Sequence, residues 1–532
     1  MIQFNHYTIV QDERSSNMKG FHMKKNSIIT GTLILTGASL ITRLLGFGFR
    51  IYQSQIMGAE GMGLYQLLFP IYMLLWAASS AGIALAIAKM IAAEVSKGNE
   101  GNAIHILKVS LYISLPLSLL LSILLFIFAP YIATYYIHEP VTELSLRILA
   151  CCVPFMSTAC CLRGYFQGHQ DMSITALAQI VEQVARMAAI FLLAGLLIPK
   201  GTVYVCALGV IGMCAGEIFS FLMSLTAFLL KKRKITLTPV TLRQSQTFQS
   251  LLALSIPITA NRFLTSGLQS FENILIPINL EKYGLASSAA LGLYGQFSGM
   301  AMPLIFFPSM VTSSLATALV PAISEAVAAK NTRMLQKTIG SAVQFSSLIG
   351  IGSTALFLCF PYEIANSCYR MESVGTLLKW LAIICPFLYL QNILTGTMNG
   401  LGMQKKTFQT NILGSLICIA TITLLVPRKG IIGFVLAMLF QSGFVCILLL
   451  GHIFKFVDLT IDALHWIILP GIAAVLASFV ALTFNRYLFT PYCPLAINTI
   501  LSIIVLGIVY LLLLVVVGAF SVKEVKSFLG SR

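Results

Sequence analysis

Long runs of apolar residues, separated by short polar connections, fill almost the whole chain. A run of about 20 apolar residues is long enough to cross the hydrocarbon core of a bilayer as an α-helix. The sequence holds fourteen such runs and therefore predicts an all-α polytopic membrane protein with fourteen spans. Their approximate limits are 28–57, 64–93, 104–129, 142–166, 173–198, 203–230, 249–280, 291–321, 338–361, 376–400, 408–426, 431–455, 464–485 and 495–520.

The composition excludes a water-soluble globular protein. Of the 532 residues, 58% are hydrophobic and 10% are Asp, Glu, Lys or Arg. A soluble domain holds about 25% of these four residues, because its surface faces water. The outer surface of this chain is therefore predicted to face lipid.

The charge balance indicates how the chain is oriented. Lys and Arg number 34 against 18 Asp and Glu, which gives a formal charge of +16. The basic residues concentrate in alternate connections, such as residues 231–234, on the side of the N-terminus. Because positively charged loops are retained in the cytoplasm, both termini are predicted to be cytoplasmic. The same bias accounts for the positive charge without a nucleic-acid partner.

Three short sequence matches indicate an internal repeat, a common construction of transporters. The matching segments are 63–65 and 292–294, 196–200 and 424–428, and 168–170 and 402–404, at offsets of 228 to 234 residues. Six predicted spans separate the two copies in each pair, so the copies have the same orientation. The repeat predicts two six-helix lobes in parallel around a central cavity, plus two C-terminal helices.

The predicted organisation has five parts, and the basic linker separates the two copies of the repeat. The parts are a cytoplasmic N-terminal segment (1–26), an N-lobe with spans 1–6 (27–230), a basic cytoplasmic linker (231–247), a C-lobe with spans 7–12 (248–456), and spans 13 and 14 with a cytoplasmic tail (457–532).

Two arginines in the first span are the strongest candidates for substrate binding. Arg43 and Arg50 are seven residues apart, which places them on nearly the same helix face and about 10 Å apart along the axis. Neither has an acidic residue three or four positions away. Guanidinium groups bind phosphate oxygens through paired hydrogen bonds, so this stripe suits an anion such as a lipid-linked pyrophosphate. Alternatively, both arginines pair with acids on other helices or extend to an interface.

Further charged residues occur inside the predicted spans. Arg262 in span 7 either completes the basic site from the opposite wall or has a structural role, such as a salt bridge to Glu272. Glu182 and Arg186 in span 5 have the four-residue spacing of an ion pair within one helix. That pair either neutralises itself or lines the cavity.

Two more charged residues in the spans, Glu217 and Arg163, are considered with this set. Glu217 in span 6 is assigned to neither structure nor site, and the candidates for ion coupling are Glu182, Glu217 and Glu272. Arg163, near the inner end of span 4, is predicted to reach the cytoplasmic interface.

The sequence offers little evidence for enzyme chemistry. It contains no zinc-protease, serine-hydrolase, nucleotide-binding or kinase motif, and its seven histidines are scattered singly. We therefore predict no enzyme activity, no catalytic residues, no metal site and no cofactor. Most of the twelve cysteines lie in apolar runs, and only Cys368 and Cys493 fall in polar connections.

Several segments resemble the stage V sporulation protein B-like polysaccharide-biosynthesis flippases. This family lies in the superfamily that also contains multidrug exporters and the lipid II flippase. The resemblance covers nearly the whole chain from residue 24. The segments that carry it are 42–47 with Arg50, 61–65, 79–83 through 88–89, 162–168, 255–258 with 261–262, and 321–325.

The resemblance implies fourteen helices in two lobes around a cavity that opens alternately to each side. It also implies that basic residues on the first helix serve the substrate's phosphates, and by motif this role corresponds to Arg43. The spacing at Arg50 resembles the sporulation branch, whereas the lipid II flippase pattern places its second arginine one residue nearer the glycine. Spans 13 and 14 resemble the pair thought to guide the lipid tail.

The resulting hypothesis is a flippase in the bacterial cytoplasmic membrane. It moves an anionic lipid-linked saccharide, such as a peptidoglycan or polysaccharide precursor, in cell-envelope or spore-cortex synthesis. Its partners are that substrate and membrane lipids. The first alternative is a multidrug or cation antiporter of the same fold. A membrane-embedded glycosyltransferase would need acidic catalytic residues in outer loops, and a non-transporting scaffold would leave the arginine stripe unexplained.

Overall fold

The structure is a computed structural model that describes residues 25–233, 238–459, 462–490 and 494–519. Within these ranges the regular structure is entirely helical, which confirms the predicted all-α membrane fold. Most of the predicted N-terminal segment, part of the linker, the C-terminal tail and Cys493 lie outside the described residues.

Seventeen α-helices are found in the described ranges, with short π-helical and 3₁₀ segments between some of them. They are α1 (Lys25–Trp76), α2 (Gly82–Val95), α3 (Glu100–Tyr131), α4 (Glu143–Gly168), α5 (Met172–Leu197), α6 (Thr202–Lys232), α7 (Gln244–Lys282), α8 (Ser287–Tyr294), α9 (Met302–Ala328), α10 (Thr332–Cys359), α11 (Pro361–Tyr369), α12 (Glu372–Leu381), α13 (Cys385–Gly400), α14 (Gln404–Lys429), α15 (Ile431–Phe454), α16 (Leu469–Phe484) and α17 (Leu495–Val516).

Twelve helical stretches of the described chain are long and apolar enough to cross a membrane. The longest, Gly37–Val95, includes a break at Gly58, whose φ of 69° is favourable for glycine and strained for other residues. The predicted boundary between spans 1 and 2 therefore falls at this kink. α7 has 39 residues, but it is more polar and is not among the twelve. The count of fourteen spans stays a prediction.

The connection predicted between spans 9 and 10 is itself largely helical. α11 covers residues that the sequence assigns to a polar loop, and it ends at Arg370 in the left-handed conformation. Buried residues on this amphipathic helix, such as Ile364 and Tyr369, dock it on the helices beneath it. A span-length criterion misses α11, because nine residues cannot cross a bilayer.

Equivalent contacts in the two halves of the chain support the predicted repeat. Gln66 donates a hydrogen bond to the backbone oxygen of Ser298, which lies 232 residues further along the chain, at 3.3 Å. Gly164 of α4 packs against Ala84 of α2, and Gly396 of α13 packs in the same way against Ala316 of α9. Each pair of equivalent residues has this same offset, within the predicted range. The arrangement of the helices in two lobes stays a prediction.

Candidate functional site

Arg43 lies between the N-terminal and C-terminal halves of the chain. Its Nη1 donates a hydrogen bond to Ser313 Oγ of α9 at 3.3 Å, and its side chain is exposed. One turn further along α1, the rings of Phe47 and Phe307 pack with centroids 4.8 Å apart. Arg43 forms no ion pair with any residue that the structure describes. Its positive charge is therefore available to an anionic ligand.

Arg50 lies further along α1, where that helix meets α11. It is half-buried, it is near Tyr369, and within the described ranges it has no ion-pair partner. Gln55, on the same stretch of α1, donates a hydrogen bond from Nε2 to the backbone oxygen of Cys368 at 2.7 Å. The two arginines thus face different neighbours: Arg43 faces α9, and Arg50 faces α11.

Arg262 is exposed on α7. In the part of the chain that the structure describes, no ion pair joins it to Glu272, so the predicted salt bridge between them is absent. No hydrogen bond or ion pair connects it to Arg43 or Arg50 in those residues either. A joint site of the three arginines is therefore a prediction.

A buried ionic network occupies the N-terminal half. Arg186 Nη2 lies 2.9 Å from Glu182 Oε1, which confirms the ion pair predicted from their spacing. Arg163 Nη1 lies 3.4 Å from Glu182 Oε2, and its Nη2 lies 3.9 Å from Glu217 Oε2. Tyr72 donates a hydrogen bond to Glu217 Oε1 at 2.5 Å. The network therefore joins α1, α4, α5 and α6.

The prediction that Arg163 reaches the cytoplasmic interface is wrong. Only 15% of its side chain is exposed, because two carboxylates from neighbouring helices hold it inside the bundle. A single sequence does not show which helices are neighbours, so these partners, 19 and 54 residues away, could not be identified from it. Two guanidiniums and two carboxylates balance each other, which favours a structural role for Glu182, Arg186 and Glu217.

This network leads to a stability prediction. Glu182→Gln leaves Arg163 and Arg186 with one carboxylate between them, and breaking a buried pair costs about 3–5 kcal/mol. We expect a marked fall in the thermal unfolding midpoint of the purified protein. The control is Glu143→Gln, because the Glu143–Arg147 pair is 2.7 Å long but about 40% exposed, and such pairs contribute about 0–1 kcal/mol. Equal midpoints for the two variants would contradict the assignment.

Glu272 is half-buried on the face of α7 that packs against α14. Its Oε1 is buried and has no hydrogen-bond partner in the described residues, and Ser415 and Cys418 of α14 lie beside it. A buried carboxylate oxygen without a partner is costly in an apolar bundle. Of the three candidates for ion coupling, Glu272 is therefore the one that no arginine of the described residues neutralises.

An apolar groove of about 320 Å³ lies between α10 and α17. Its walls include Leu348 and Leu356 from α10, and Leu506 and Tyr510 from α17. Pro308 of α9 closes one side of the groove, five residues before the Ser313 that receives the hydrogen bond from Arg43. The groove and the Arg43 side chain therefore both contact α9, at positions five residues apart.

Sequence reasoning did not identify Ser313, Tyr72 or the α10 wall of the groove. Ser313 lies 270 residues from Arg43, so their contact depends on how the two halves pack. Tyr72 lies in an apolar run without a charged neighbour, and only the fold brings it to Glu217. The resemblance pointed to spans 13 and 14 for the groove, but α10 supplies as much of its wall as α17.

Comparisons with known proteins agree with this architecture. Residues 28–327 match the polysaccharide biosynthesis protein family, and residues 263–424 match the MatE family. Stage V sporulation protein B of Bacillus subtilis (strain 168) is 30% identical over 472 residues, which cover 88% of this chain and 91% of that protein. The lipid II flippase MurJ of the same organism is 24% identical over 473 residues, which cover 80% of this chain and 82% of that protein.

A solved structure of the lipid II flippase MurJ, in an inward closed conformation, has the same fold. It superposes with a TM-score of 0.69 at 15% sequence identity, over 91% of this chain and 98% of that chain. Fold and comparisons together define a multi-pass membrane protein of the flippase and transporter class. The chain belongs to the polysaccharide biosynthesis protein family and is similar to stage V sporulation protein B, which confirms the resemblance found in the sequence.

Proposed function

We propose that the protein is a flippase that moves an anionic lipid-linked saccharide across the bacterial cytoplasmic membrane. The observation that carries the proposal is Arg43, an arginine without an ion-pair partner in the described residues, at the boundary of the two halves. Fixing an unpaired cation within a bilayer costs about 2.5–3.5 kcal/mol on insertion scales. Binding of an anionic ligand to Arg43 explains why the chain keeps an arginine there despite this cost.

The arrangement of the site supports a division of the cargo between two surfaces. The phosphates of the head group bind Arg43, and then Arg50 and Arg262 as the head group crosses between the lobes. Guanidinium suits this role, because it makes paired hydrogen bonds to phosphate oxygens. The apolar groove between α10 and α17 holds part of the lipid tail, and α9 connects the two surfaces, because it carries both Pro308 in the groove wall and Ser313 beside Arg43. No covalent intermediate is needed.

In the proposed mechanism the two lobes are residues 27–230 and 248–456. They rotate relative to each other, so that the cavity with the arginines opens first to one side of the membrane and then to the other. Both termini face the cytoplasm, which places Arg43 nearer the cytoplasmic side and Arg50 nearer the outer side. Glu272 is the candidate for coupling to an ion, because the buried network already neutralises Glu182 and Glu217.

A multidrug or cation antiporter is the second candidate. The MatE match over residues 263–424 and the unpaired oxygen of Glu272 favour it. An organic cation, however, would be repelled by the exposed Arg43 at the boundary of the two halves. The anionic cargo therefore fits the site better.

The experiment that separates the two candidates uses purified protein in liposomes. We expect leaflet exchange of a fluorescent isoprenoid-linked saccharide pyrophosphate, and little exchange of the same lipid with a neutral, dephosphorylated head group. Uptake of an organic cation is measured in parallel. Cation transport without exchange of the pyrophosphate lipid would contradict the flippase and favour the antiporter.

A further inference from the structure

The backbones of the two halves of the chain are in direct contact where α1 crosses α8 and the short π-helical segment that follows it. A Cβ atom on Gly63 would lie 2.2 Å from the backbone oxygen of Leu291, and one on Gly295 would lie 2.0 Å from that of Ala59. Ala59 and Leu291, like Gly63 and Gly295, have the 232-residue offset of Gln66 and Ser298. The crossing is therefore symmetric, with the backbones in direct contact. It lies on the predicted extracellular side, just beyond the kink at Gly58.

Two equivalent hydrogen bonds flank this crossing. On one flank, Gln55 of α1 donates to the backbone oxygen of Cys368 in α11 at 2.7 Å. On the other flank, Ser287 at the start of α8 donates from Oγ to Glu139 Oε1, also at 2.7 Å. Gln55 and Ser287 again have the 232-residue offset. We call the crossing and its two flanking bonds the outer gate.

The two flanks of the outer gate differ in one chemical property. The bond from Gln55 joins neutral groups, so its strength does not change with pH in the physiological range. The bond from Ser287 ends on a carboxylate, and Glu139 is half-buried in the connection between α3 and α4. Only this flank can take up a proton.

The surroundings of Glu139 oppose its negative charge. Burial raises the pKa of its carboxyl group, and the carboxylates of Glu281 at the end of α7 and Glu60 on α1 raise it further. The hydrogen bond from Ser287 and the neighbouring His138 act in the opposite direction, but the net pKa is above the usual value. Separation of the two halves would move Glu281 away from Glu139 and admit water to its carboxyl group, so the closed gate would bind a proton more tightly than the open gate.

We propose that the outer gate is a proton-sensitive lock, in which protonation of Glu139 holds the two halves together and its ionisation releases them. The sign follows from linkage: the conformation with the higher carboxyl pKa gains population as the pH falls through that pKa. External acid therefore closes the gate, and a rise in pH opens it. The inference rests on the alternating access proposed above, but its test needs no substrate.

The test measures how far apart the outer ends of the two halves are. Spin labels are placed at Thr202, at the start of α6, and at Lys429, at the end of α14; both are exposed and both are on the predicted extracellular side. The full chain, with its accessible native cysteines replaced, is studied in lipid nanodiscs by pulsed electron resonance. Distance distributions are compared between about pH 4.5, near the ordinary pKa of a glutamate carboxyl group, and about pH 8.

In the protein with an unchanged gate, we expect the population with a long distance between the two labels, which is the open state, to rise severalfold from the lower to the higher pH. Glu139→Gln, which keeps a hydrogen-bond acceptor but cannot ionise, should stay closed at both values. Ser287→Ala removes a group that stabilises the ionised carboxylate, so it should move the transition to higher pH. Gln55→Ala is the matched control and should raise the open population at both values without removing the pH response.

Two results would overturn the inference: a distance distribution that is the same at both pH values, or a Glu139→Gln variant with the full response. Neither result depends on transport. If the protein is not a flippase, cargo exchange fails in liposomes while the gate still responds to pH. Failure of the gate and failure of the proposed function are therefore distinguishable.

Discussion

Arg43→Ala should reduce the leaflet exchange of an isoprenoid-linked saccharide pyrophosphate by about ten- to a hundredfold. Hydrogen bonds to charged groups contribute about 1.5–3 kcal/mol each, and the alanine variant loses its guanidinium donors to the phosphates. Arg43 has no ion-pair partner in the described residues, so its removal leaves no carboxylate without a partner. The measurement is exchange in liposomes at equal amounts of reconstituted protein.

A matched control shows whether the loss of exchange comes from loss of the binding site or from removal of any arginine in a membrane helix. Arg147 also lies in a membrane helix, but it is paired with Glu143 and packs 5.3 Å from the ring centroid of Phe126. Arg147→Ala should leave exchange near the level of the unchanged protein. Arg43→Lys keeps the charge without the paired donors and should retain part of the activity. Undiminished exchange in Arg43→Ala would remove Arg43 from the site.

Gly63→Ala should prevent the outer gate from closing. The added Cβ would lie 2.2 Å from the backbone oxygen of Leu291, and no side-chain rotation relieves a contact with backbone. Overpacking of this kind costs about 1–3 kcal/mol, which shifts the ratio of open to closed molecules by roughly five- to 150-fold. Labels at Thr202 and Lys429 should report a dominant open population at any pH, and exchange should fall because the cycle stops outward-open.

Gly292→Ala is the control for this prediction. The sequence match aligned Gly63 with Gly292, but the residue equivalent to Gly63 at the crossing is Gly295. A Cβ on Gly292 would lie 3.9 Å from Ala59 Cβ, an ordinary contact, so this variant should close normally. If Gly292→Ala opened the gate and Gly63→Ala did not, the close backbone contact would not lie at Gly63.

The sequence predicted the features that depend on composition and on local spacing. The membrane class follows from apolar runs that match the thickness of a bilayer. The Glu182–Arg186 pair follows from the four-residue spacing, because that spacing fixes the distance between two side chains on one helix. The repeat offset was predicted to within a few residues, since similar short segments recur in both halves.

Features that depend on packing between distant segments were missed. The burial of Arg163 required two carboxylates from other helices, and the contact of Arg43 with Ser313 required both halves. The position of the kink between spans 1 and 2 depends on the dihedral angles of Gly58, which cannot be read from a residue type alone. A single sequence gives spacing along one helix, but it does not show which helices touch.

The proposed function depends on binding of the cargo's phosphates by arginines that have no ion-pair partner among the described residues, Arg43 above all. The most direct test compares the affinities of a lipid-linked pyrophosphate and the matching monophosphate for the unchanged protein and for Arg43→Gln. We predict that the preference for the pyrophosphate falls by about tenfold in the variant, a coupling of about 1.4 kcal/mol between Arg43 and the additional phosphate. An identical preference in both proteins would contradict the claim, because Arg43 would then not contact the phosphates.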